Sequence, residues 1–328
     1  MNMKAILTGL ILVGVHTSIA ALDDITSPRL SARMSATMSV PISVPMSAPQ
    51  PMLDYAAMPE LSAQSVLVFD QASGQPLLAK NANLQTPIAS ITKLMTAMLV
   101  MDAAQALDEH ITISSDDRDT LKGSSSRLAI GASYTRGQLL HLALIASDNR
   151  AAHALGRTTT GGLDRFVANM NRMARALGMN DTVYVEPTGL SSENRSTALD
   201  QAKLADYAFQ NYPEIRHISS IGNYTLGTQR VVLKKKRRQE VHYRQVAFNN
   251  TNRFTRANDW HVGLSKTGFI NEAGHCLVMQ AQVAQRDVII VLLDAQGTHR
   301  RASDVTLIRQ WLESRRQPEI HFTPASRT

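Results

Sequence analysis

Hydrophobic positions divide the chain into a strand-rich start, a helical middle and a strand-rich end. Two short apolar runs at residues 65–69 and 76–79, separated by a turn-like Asp-Gln-Ala-Ser-Gly segment, predict a β-hairpin. Later apolar runs predict strands at residues 262–266, 275–283 and 288–293. Because these strands come from both ends of the chain, we expect one antiparallel sheet assembled from distant segments, with helices packed on it.

Apolar residues in the middle of the chain recur at helical spacing. After Pro87 they form one stripe, which predicts a helix packed against a core. The stripe consists of Ile91, Leu94, Met95, Met98 and Leu99. Thr135 is expected to cap a second helix, a third runs from about 163 to 177 and stops at Gly178, and a fourth begins near Ser196. A final amphipathic helix carries Ala302, Val305, Ile308, Trp311 and Leu312. The pattern as a whole predicts an α+β fold.

The first residues of the chain have the pattern of a signal peptide. A lysine at position 4 is followed by an apolar run from 5 to 15 and by small residues, which predict cleavage after Ala20. The apolar run is short for a bilayer span, although an uncleaved anchor remains the alternative. We therefore expect residues 1–20 to direct export.

Two further segments are expected to lie outside the folded domain. Residues 21–61 are rich in Ser, Pro, Met and Ala without a sustained helical or strand period, which predicts a disordered tether. Residues 316–328 form a short polar tail. The sequence thus predicts a single folded domain at residues 62–315, with enough apolar residues to bury a core without a disulfide or metal.

Charge and cysteine content narrow the partners of the domain. Loss of the predicted signal peptide leaves 33 basic and 27 acidic side chains, and much of the excess lies in a run at 234–238. An exported protein rarely meets nucleic acid, so we interpret this run as a solvated hairpin or loop tip, with attraction to an acidic polymer as the alternative. Cys276 is the single cysteine, which excludes an intramolecular disulfide and favours a buried thiol.

Ser90 and Lys93 place a hydroxyl and an amine three residues apart at the start of the predicted first helix. Three residues is nearly one helical turn, so both side chains face the same way. A lysine can take the proton of a serine hydroxyl if burial or nearby positive charge lowers its pKa. The backbone N–H groups at the helix start, including that of Ser90, can stabilise an oxyanion. Taken alone, this spacing more often marks a helix cap beside a solvated lysine.

A second motif, Ser147-Asp148-Asn149, follows a predicted helix. The hydroxyl of Ser147 can relay a proton towards a leaving nitrogen. The amide of Asn149 can accept a hydrogen bond from Lys93 and donate one to a substrate carbonyl. These two side chains therefore supply proton transfer and substrate orientation, which the Ser90 and Lys93 pair lacks.

A third motif, Lys266-Thr267-Gly268, closes a predicted strand. The positive charge of Lys266 disfavours the charged form of Lys93 and can attract a substrate carboxylate, to which Thr267 can donate a hydrogen bond. Gly268 lets the strand backbone come close to substrate. The N–H of Phe269 is then the natural second donor to an oxyanion.

Ser-x-x-Lys, Ser-Asp-Asn and Lys-Thr-Gly in this order form the signature of β-lactamases and penicillin-binding proteins. From about residue 64 to 315, the chain resembles the low-molecular-mass D,D-peptidases of that superfamily, and most of all their D-alanyl-D-alanine endopeptidase branch. The resembling segments are 87–98, 147–152, 185–190, 266–269 and 273–278. One departure is Asp148, where that branch often has glutamate, and we expect little effect because the outer two residues of the motif do the chemistry.

The resemblance implies a β-lactamase/transpeptidase-like fold, in which helices flank an antiparallel sheet and an all-helical subdomain is inserted. It also implies a periplasmic serine D,D-endopeptidase that cleaves D-Ala-diaminopimelate crosslinks of peptidoglycan. Ser90 would form an acyl-enzyme held by the N–H groups of Ser90 and Phe269, while Lys93 and Ser147 move protons. β-Lactams would acylate Ser90 as inhibitors, and no cofactor, metal, nucleic acid or stable membrane anchor is expected.

Four alternatives remain beside this hypothesis. A D-alanyl-D-alanine carboxypeptidase would use the same chemistry, although such enzymes usually carry a further β-rich domain and a membrane-binding helix. A β-lactamase of the commonest class needs a Glu-x-x-Leu-Asn segment, which is absent, and we interpret Glu186 and Glu193 as structural or surface carboxylates. A non-catalytic wall-binding receptor predicts a broken motif, and a zinc peptidase predicts a close pair of histidine ligands; neither is found. His275 either lines the cleft or packs.

Overall fold

The structure is a computed structural model that describes residues 58–235, 238–257 and 259–315. The predicted signal peptide, the predicted polar tail and most of the predicted tether lie outside the described residues. Within the described ranges, no helix is both long and apolar enough to span a bilayer.

The strands and helices of the described residues have the following bounds. The strands are β1 Ser65–Asp70, β2 Gln75–Lys80, β3 Thr86–Pro87, β4 His110–Thr112, β5 Ser133–Thr135, β6 Arg195–Ser196, β7 Asn223–Lys235, β8 Arg238–Asn249, β9 His261–Ile270, β10 Gly274–Val283 and β11 Arg286–Ala295. The α-helices are α1 Lys93–Asp102, α2 Arg136–Ile145, α3 Asn149–Thr158, α4 Gly162–Ala176, α5 Ala198–Asn211, α6 Pro213–Ser220 and α7 Thr298–Ser314. Short 3₁₀ turns lie at Ala89–Thr92, Ser115–Asp117 and Arg253–Arg256.

One antiparallel sheet joins the two ends of the domain. Its strand order is β2-β1-β11-β10-β9, and every neighbouring pair is antiparallel. β1 pairs with β11 from Ser65 opposite Leu293 to Asp70 opposite Val288, so strands from opposite ends of the domain meet inside the sheet. This arrangement confirms the sheet predicted from the distribution of apolar runs.

Both faces of the sheet are covered. Val66 and Val68 of β1 belong to a core cluster that includes Val305 of α7, while Leu67 and Phe69 belong to the larger cluster formed with the central helices. Alternate side chains of a strand point to opposite faces, so a strand buried on both faces is apolar throughout. This explains why β1, β10 and β11 appear in the sequence as continuous apolar runs.

Capping residues set the helix ends close to the predicted positions. Thr135 caps α2 in a capping box, in which its side chain accepts from the backbone of Gln138 and the Gln138 side chain bonds back to the Thr135 N–H. Gly178, with a φ of +67°, follows the end of α4. Thr197 caps α5, which therefore starts slightly after the predicted Ser196.

Three features differ from the predictions or extend them. The helix predicted after Pro87 begins as the 3₁₀ turn Ala89–Thr92 before α1, and β9 continues past the third motif to Ile270 instead of ending within it. β7 and β8 form a long two-stranded hairpin that the sequence indicated only at its tip. The basic run falls at that tip, since Lys235 pairs with Arg238, and its residues 236–237 lie outside the described part of the chain.

Candidate active site

Ser90 lies in the 3₁₀ turn that leads into α1, and Lys93 is the first residue of that helix. The Nζ atom of Lys93 lies 2.7 Å from the Oγ atom of Ser90, which confirms that the two side chains face the same way. Ala89 before them has a φ of +48°, in the left-handed region that residues other than glycine seldom adopt. The backbone therefore holds this turn in an uncommon conformation next to the reactive hydroxyl.

The Lys93 amine has two further partners, both of them oxygen atoms. It donates to Oδ1 of Asn149 at 2.7 Å and to the backbone carbonyl of Thr188 at 2.6 Å. An amide or carbonyl oxygen can only accept hydrogen bonds, so each of these contacts uses one N–H of the amine. An uncharged amine has two N–H groups and one lone pair, which leaves the lone pair for the hydroxyl of Ser90.

Burial favours the uncharged amine. The Lys93 side chain is fully buried, and this desolvation lowers its pKa from 10.5 to about 8. The carboxylates of Glu186, Asp148 and Asp119 act in the opposite direction and raise this pKa. Lys93 can therefore exchange a proton near neutral to mildly alkaline pH, as a base for a serine hydroxyl must.

The second motif is placed by the junction between α2 and α3. Ser147 has a φ of +57°, and Asp148 behind it caps α3 by accepting a hydrogen bond from the N–H of Ala151 at 3.0 Å. The second oxygen of Asp148 accepts from the hydroxyl of Ser126 at 2.8 Å. The carboxylate of Asp148 thus belongs to the helix cap, while Ser147 and Asn149 on either side of it contact the two lysines.

Asn149 is held from both ends of its amide. Its Oδ1 accepts from Lys93, and its Nδ2 donates to Oγ of Ser124 at 2.8 Å. The acceptor contact with an amine fixes which end of the amide faces Lys93. The amide nitrogen has a second N–H, which suits the predicted role of Asn149 as a donor to a substrate carbonyl.

The third motif brings a second buried lysine to the same cluster. The Nζ atom of Lys266 donates to Oγ of Ser147 at 2.8 Å and to the carbonyl of Thr267 at 2.7 Å. Burial, and then the nearby charges of Lys93 and Arg301, lower the pKa of Lys266 well below its ordinary value. Because a carboxylate would stabilise the charged amine, this site is suited to receive an anionic group.

Packing within the chain explains why position 268 is a glycine. A Cβ atom at this position would lie 2.9 Å from the carbonyl oxygen of Ile88 and 3.0 Å from the backbone nitrogen of Ser90. We expected Gly268 to let the strand backbone come close to substrate, and in the structure the turn that carries Ser90 lies where a side chain at this position would be. The glycine therefore lets β9 lie against that turn, and its contact with substrate stays a prediction.

Thr267 and Phe269 flank this glycine on β9. The Thr267 hydroxyl donates to the hydroxyl of Thr251 at 2.7 Å, and the exposed ring of Phe269 stacks on His275 with 4.3 Å between ring centroids. His275 thus packs against a residue of the candidate site. β9 is an edge strand, and an edge strand leaves alternate N–H groups without a strand partner. The predicted role of the Phe269 N–H as an oxyanion donor stays a prediction.

Sequence reasoning missed the residues that support this cluster. Thr188 acts through its backbone carbonyl, for which residue type gives no signal, and Ser124 and Thr251 carry common hydroxyls in segments without a motif. Glu186 accepts hydrogen bonds from backbone groups of its own loop, as expected of a structural carboxylate, while Glu193 is exposed. Thr188 does lie in one of the resembling segments, but no role was assigned to it.

Solved structures similar to this chain have the expected fold. A crystal structure of a DD-transpeptidase from Streptomyces matches with a TM-score of 0.67 and 27% sequence identity, over 77% of this chain and 97% of that chain. A D-alanyl-D-alanine carboxypeptidase from Francisella tularensis matches with a TM-score of 0.68 and 25% identity, over 80% of this chain and 73% of the other. These matches confirm the β-lactamase/transpeptidase-like fold.

Sequence comparison agrees with the geometry of the site. The chain is 42% identical over 264 residues to a D-alanyl-D-alanine endopeptidase of Pseudomonas aeruginosa, with 78% of each chain covered. It is 37% identical over 261 residues to a D-alanyl-D-alanine endopeptidase of Escherichia coli, covering 79% of this chain and 80% of that one. The model of the D-alanyl-D-alanine carboxypeptidase family matches residues 52–297, well over half of the chain. The chain therefore belongs to the D-alanyl-D-alanine carboxypeptidase family of serine peptidases.

Proposed function

We propose that this protein is a periplasmic serine D,D-endopeptidase that hydrolyses D-Ala-diaminopimelate crosslinks of peptidoglycan through an acyl-enzyme on Ser90. The observation that carries the proposal is the position of the Lys93 amine. It contacts the Ser90 hydroxyl at 2.7 Å, and two other oxygen atoms accept hydrogen bonds from its N–H groups. The identity to D-alanyl-D-alanine endopeptidases supports the choice of reaction. The predicted signal peptide supports the location.

Acylation is the first half of the proposed reaction. The proton of the Ser90 hydroxyl passes to the uncharged amine of Lys93 as Oγ attacks the carbonyl carbon of a D-alanine. The N–H groups of Ser90 and Phe269 stabilise the oxyanion that forms on the carbonyl oxygen. The bond to the leaving nitrogen then breaks, and the proton taken up by Lys93 passes through Ser147 to that nitrogen, which leaves an ester on Ser90 and an uncharged Lys93.

Hydrolysis of that ester completes the cycle. Water attacks the acyl carbon and gives its proton to Lys93, and Ser90 recovers its own proton as the D-alanine carboxylate is released. Lys266 and Thr267 bind a carboxylate of the peptide, and Asn149 donates to a substrate carbonyl. β-Lactams acylate Ser90 in the same way and leave slowly, which makes them covalent inhibitors.

The test is a digestion of defined peptidoglycan peptides. Crosslinked dimers and monomeric pentapeptides are incubated with wild type, Ser90→Ala and the control Ser303→Ala, and the products are identified by mass. Ser303 lies exposed on α7, where its hydroxyl donates to the backbone carbonyl of His299. We expect wild type and Ser303→Ala to split dimers and Ser90→Ala to be inactive. Release of terminal D-alanine alone would replace the endopeptidase by a carboxypeptidase, and turnover of benzylpenicillin would favour a β-lactamase.

A fluorescent penicillin tests the nucleophile separately. Wild type and Ser303→Ala should retain the label through denaturation, because the ester on Ser90 is covalent. Ser90→Ala should not be labelled. Labelling that persists in Ser90→Ala would overturn the assignment of Ser90.

A further inference from the structure

The carboxylate of Glu186 takes no part in the steps above, yet it is saturated with hydrogen bonds. One oxygen accepts from the N–H and the hydroxyl of Thr188, at 2.6 and 2.5 Å. The other accepts from the N–H of Gly189 at 2.6 Å, the side-chain amide of Asn194 at 3.0 Å and the N–H of Ser191 at 3.3 Å. A carboxylate offers about four lone-pair directions, so these five donors leave none for an attacking water. Glu186 is therefore placed to hold the loop and not to act as a base.

The loop at residues 186–194, which the Glu186 carboxylate holds together, contacts the Lys93 amine directly. The carbonyl of Thr188, whose N–H and hydroxyl are both bound by Glu186, is the oxygen that lies 2.6 Å from Nζ of Lys93. One residue earlier, the carbonyl of Pro187 accepts from the hydroxyl of Thr96, one turn further along α1, at 2.7 Å. The loop backbone is thus fastened to the helix that carries the amine at two successive carbonyls.

The same loop also contacts the turn that carries the nucleophile. Asn194 is fully buried, and its amide donates both to Glu186 and to the hydroxyl of Thr92, the latter at 3.1 Å. Its backbone carbonyl accepts from the N–H of Ile88 at 3.1 Å. Gly189 packs so closely on Ala89 that a Cβ atom there would lie 1.9 Å from the Ala89 carbonyl oxygen. The loop therefore fixes both the turn before Ser90 and the amine after it.

We propose that Glu186 is a positioning residue of the acylation step: by holding the Thr188 carbonyl on one N–H of Lys93, it directs the remaining lone pair of the amine at the Ser90 hydroxyl. The inference rests on the proposed function and deepens it, because it assigns the residue that aligns the base. If the Thr188 carbonyl moves away, the amine can turn its lone pair elsewhere. The reaction then loses alignment while every reacting group is still present.

The charge of Glu186 has a second, separable effect. Its carboxylate raises the pKa of Lys93 and so opposes the desolvation that lowers it. Removal of the charge should therefore move the pH at which the amine becomes uncharged to lower values. A side chain that only stabilised the fold would not move a pH midpoint in this way.

The experiment compares Glu186→Gln with Glu193→Gln. Both changes remove one negative charge from the same loop, but Glu193 is exposed. For each full-length variant, the rate of acylation by benzylpenicillin is measured between pH 5.5 and 10 in single turnover, with release of the acyl group followed separately. In Glu186→Gln we expect the plateau rate to fall about 10- to 100-fold and the midpoint to move to lower pH. Glu193→Gln should behave as wild type.

A milder variant covers the case in which Glu186→Gln does not fold. Thr188→Val keeps the size and branching of the side chain and removes the hydroxyl that donates to Glu186. It should lower the plateau rate about threefold to tenfold without moving the pH midpoint, because the charge of Glu186 remains. The inference is overturned if Glu186→Gln folds and is acylated at the wild-type rate. If Glu186→Gln does not fold, wild-type acylation of Thr188→Val overturns it instead.

Three outcomes separate this inference from its alternatives. Normal acylation by Glu186→Gln with slow release of the acyl group would make Glu186 a base for hydrolysis and overturn the positioning role. If wild type is acylated in a Ser90-dependent manner while Glu186→Gln matches it, only the role of Glu186 fails. If wild type itself is not acylated at Ser90, the proposed function fails first.

Discussion

The amine of Lys266 donates a hydrogen bond to the hydroxyl of Ser147 across 2.8 Å, although the two residues lie 119 positions apart in the chain. A second N–H of the amine is taken by the carbonyl of Thr267. A charged amine has three N–H groups, so one direction is left for a ligand. The buried surroundings would make a charge-assisted bond in that direction stronger than at the surface.

We therefore expect Lys266 to discriminate ligands by their carboxylate. Benzylpenicillin carries a free carboxylate, and its methyl ester does not. Wild type should be acylated about 10- to 100-fold faster by the free acid, as a charge-assisted hydrogen bond is worth about 1.5–3 kcal/mol. In Lys266→Met, the two rates of acylation should become similar, because the rate with the free acid falls to the rate with the methyl ester.

Lys80→Met is the control for this comparison. Lys80 is a partly buried lysine on β2, at the opposite edge of the sheet from β9, and its amine donates to the carbonyls of Leu61 and Ala63. It should retain the full preference for the free acid. An undiminished preference in Lys266→Met would show that the carboxylate is bound elsewhere.

The lowered pKa of Lys93 predicts how acylation depends on pH. The amine is a base only when uncharged, and its uncharged fraction grows as the pH rises through about 8. The rate of acylation by benzylpenicillin should therefore rise between pH 6 and 9, with a midpoint near 8. In Lys93→Arg the rate should fall at least 100-fold at every pH, because a guanidinium stays charged throughout this range.

Lys203→Arg serves as the matched control. Lys203 pairs with Asp200 on α5, so the exchange changes a lysine to arginine without touching the site. Its pH profile should overlay that of wild type. A wild-type rate that is flat from pH 6 to 9 would show that Lys93 is not the group that titrates.

The sequence predicted those parts of the site that depend on residue type. The hydroxyl and amines of Ser90, Lys93, Ser147 and Lys266 form recognisable motifs, and the apolar runs on either side of them place the motifs on a sheet edge and helix starts. The structure forms two hydrogen-bonded pairs, Ser90 with Lys93 and Ser147 with Lys266, and Asn149 links the second motif to Lys93. The meeting of these distant motifs could be anticipated because each motif lies at the end of a helix or strand with a clear pattern of apolar residues.

Backbone features were not predictable in the same way. Ala89 and Ser147 adopt positive φ values that a sequence would assign to glycine, and the carbonyl of Thr188 carries no mark of its role. The β7–β8 hairpin was predicted only at its tip, for another reason. Among the described residues its two strands pair with each other, outside the main sheet, and they lack the continuous apolar runs that indicated β1, β10 and β11.

Substitution of Gly189 tests how closely the loop at residues 186–194 must approach Ser90. A Cβ atom at this position would lie 1.9 Å from the carbonyl oxygen of Ala89 and 2.8 Å from the nitrogen of Ser90. Gly189→Ala must therefore displace the turn that carries Ser90, and we expect acylation to slow at least 100-fold. Stopped-flow acylation by a chromogenic β-lactam and a thermal melt measure the two consequences.

Gly178→Ala separates crowding from backbone strain. Gly178 also has a positive φ, +67° against +82° for Gly189, but no described residue has an atom within 4 Å of the added Cβ atom. Its replacement should cost about 1–2 kcal/mol of unfolding free energy, the penalty for a left-handed alanine, and leave the acylation rate unchanged. Equal acylation rates in the two variants would mean that the approach of Gly189 to Ala89 does not matter for the reaction.

Asp148 combines a structural contact with an electrostatic one, and substitution can separate them. Its carboxylate caps α3 through the N–H of Ala151 and also raises the pKa of Lys93. Asp148→Ala should lower the free energy of unfolding by about 1 kcal/mol through loss of the cap. Asp148→Asn keeps a good capping side chain, so it should retain that stability while the midpoint of acylation moves to lower pH.

Asp148→Glu tests the expectation that the middle residue of the second motif has little effect on the chemistry. The charge is kept, so the pH midpoint of acylation should stay near that of wild type. Glutamate is a poorer capping residue than aspartate, so urea unfolding should show a loss of stability no larger than that of Asp148→Ala. A large fall in acylation rate at unchanged stability would contradict this, because it would mean that the middle residue of the motif takes part in the reaction itself.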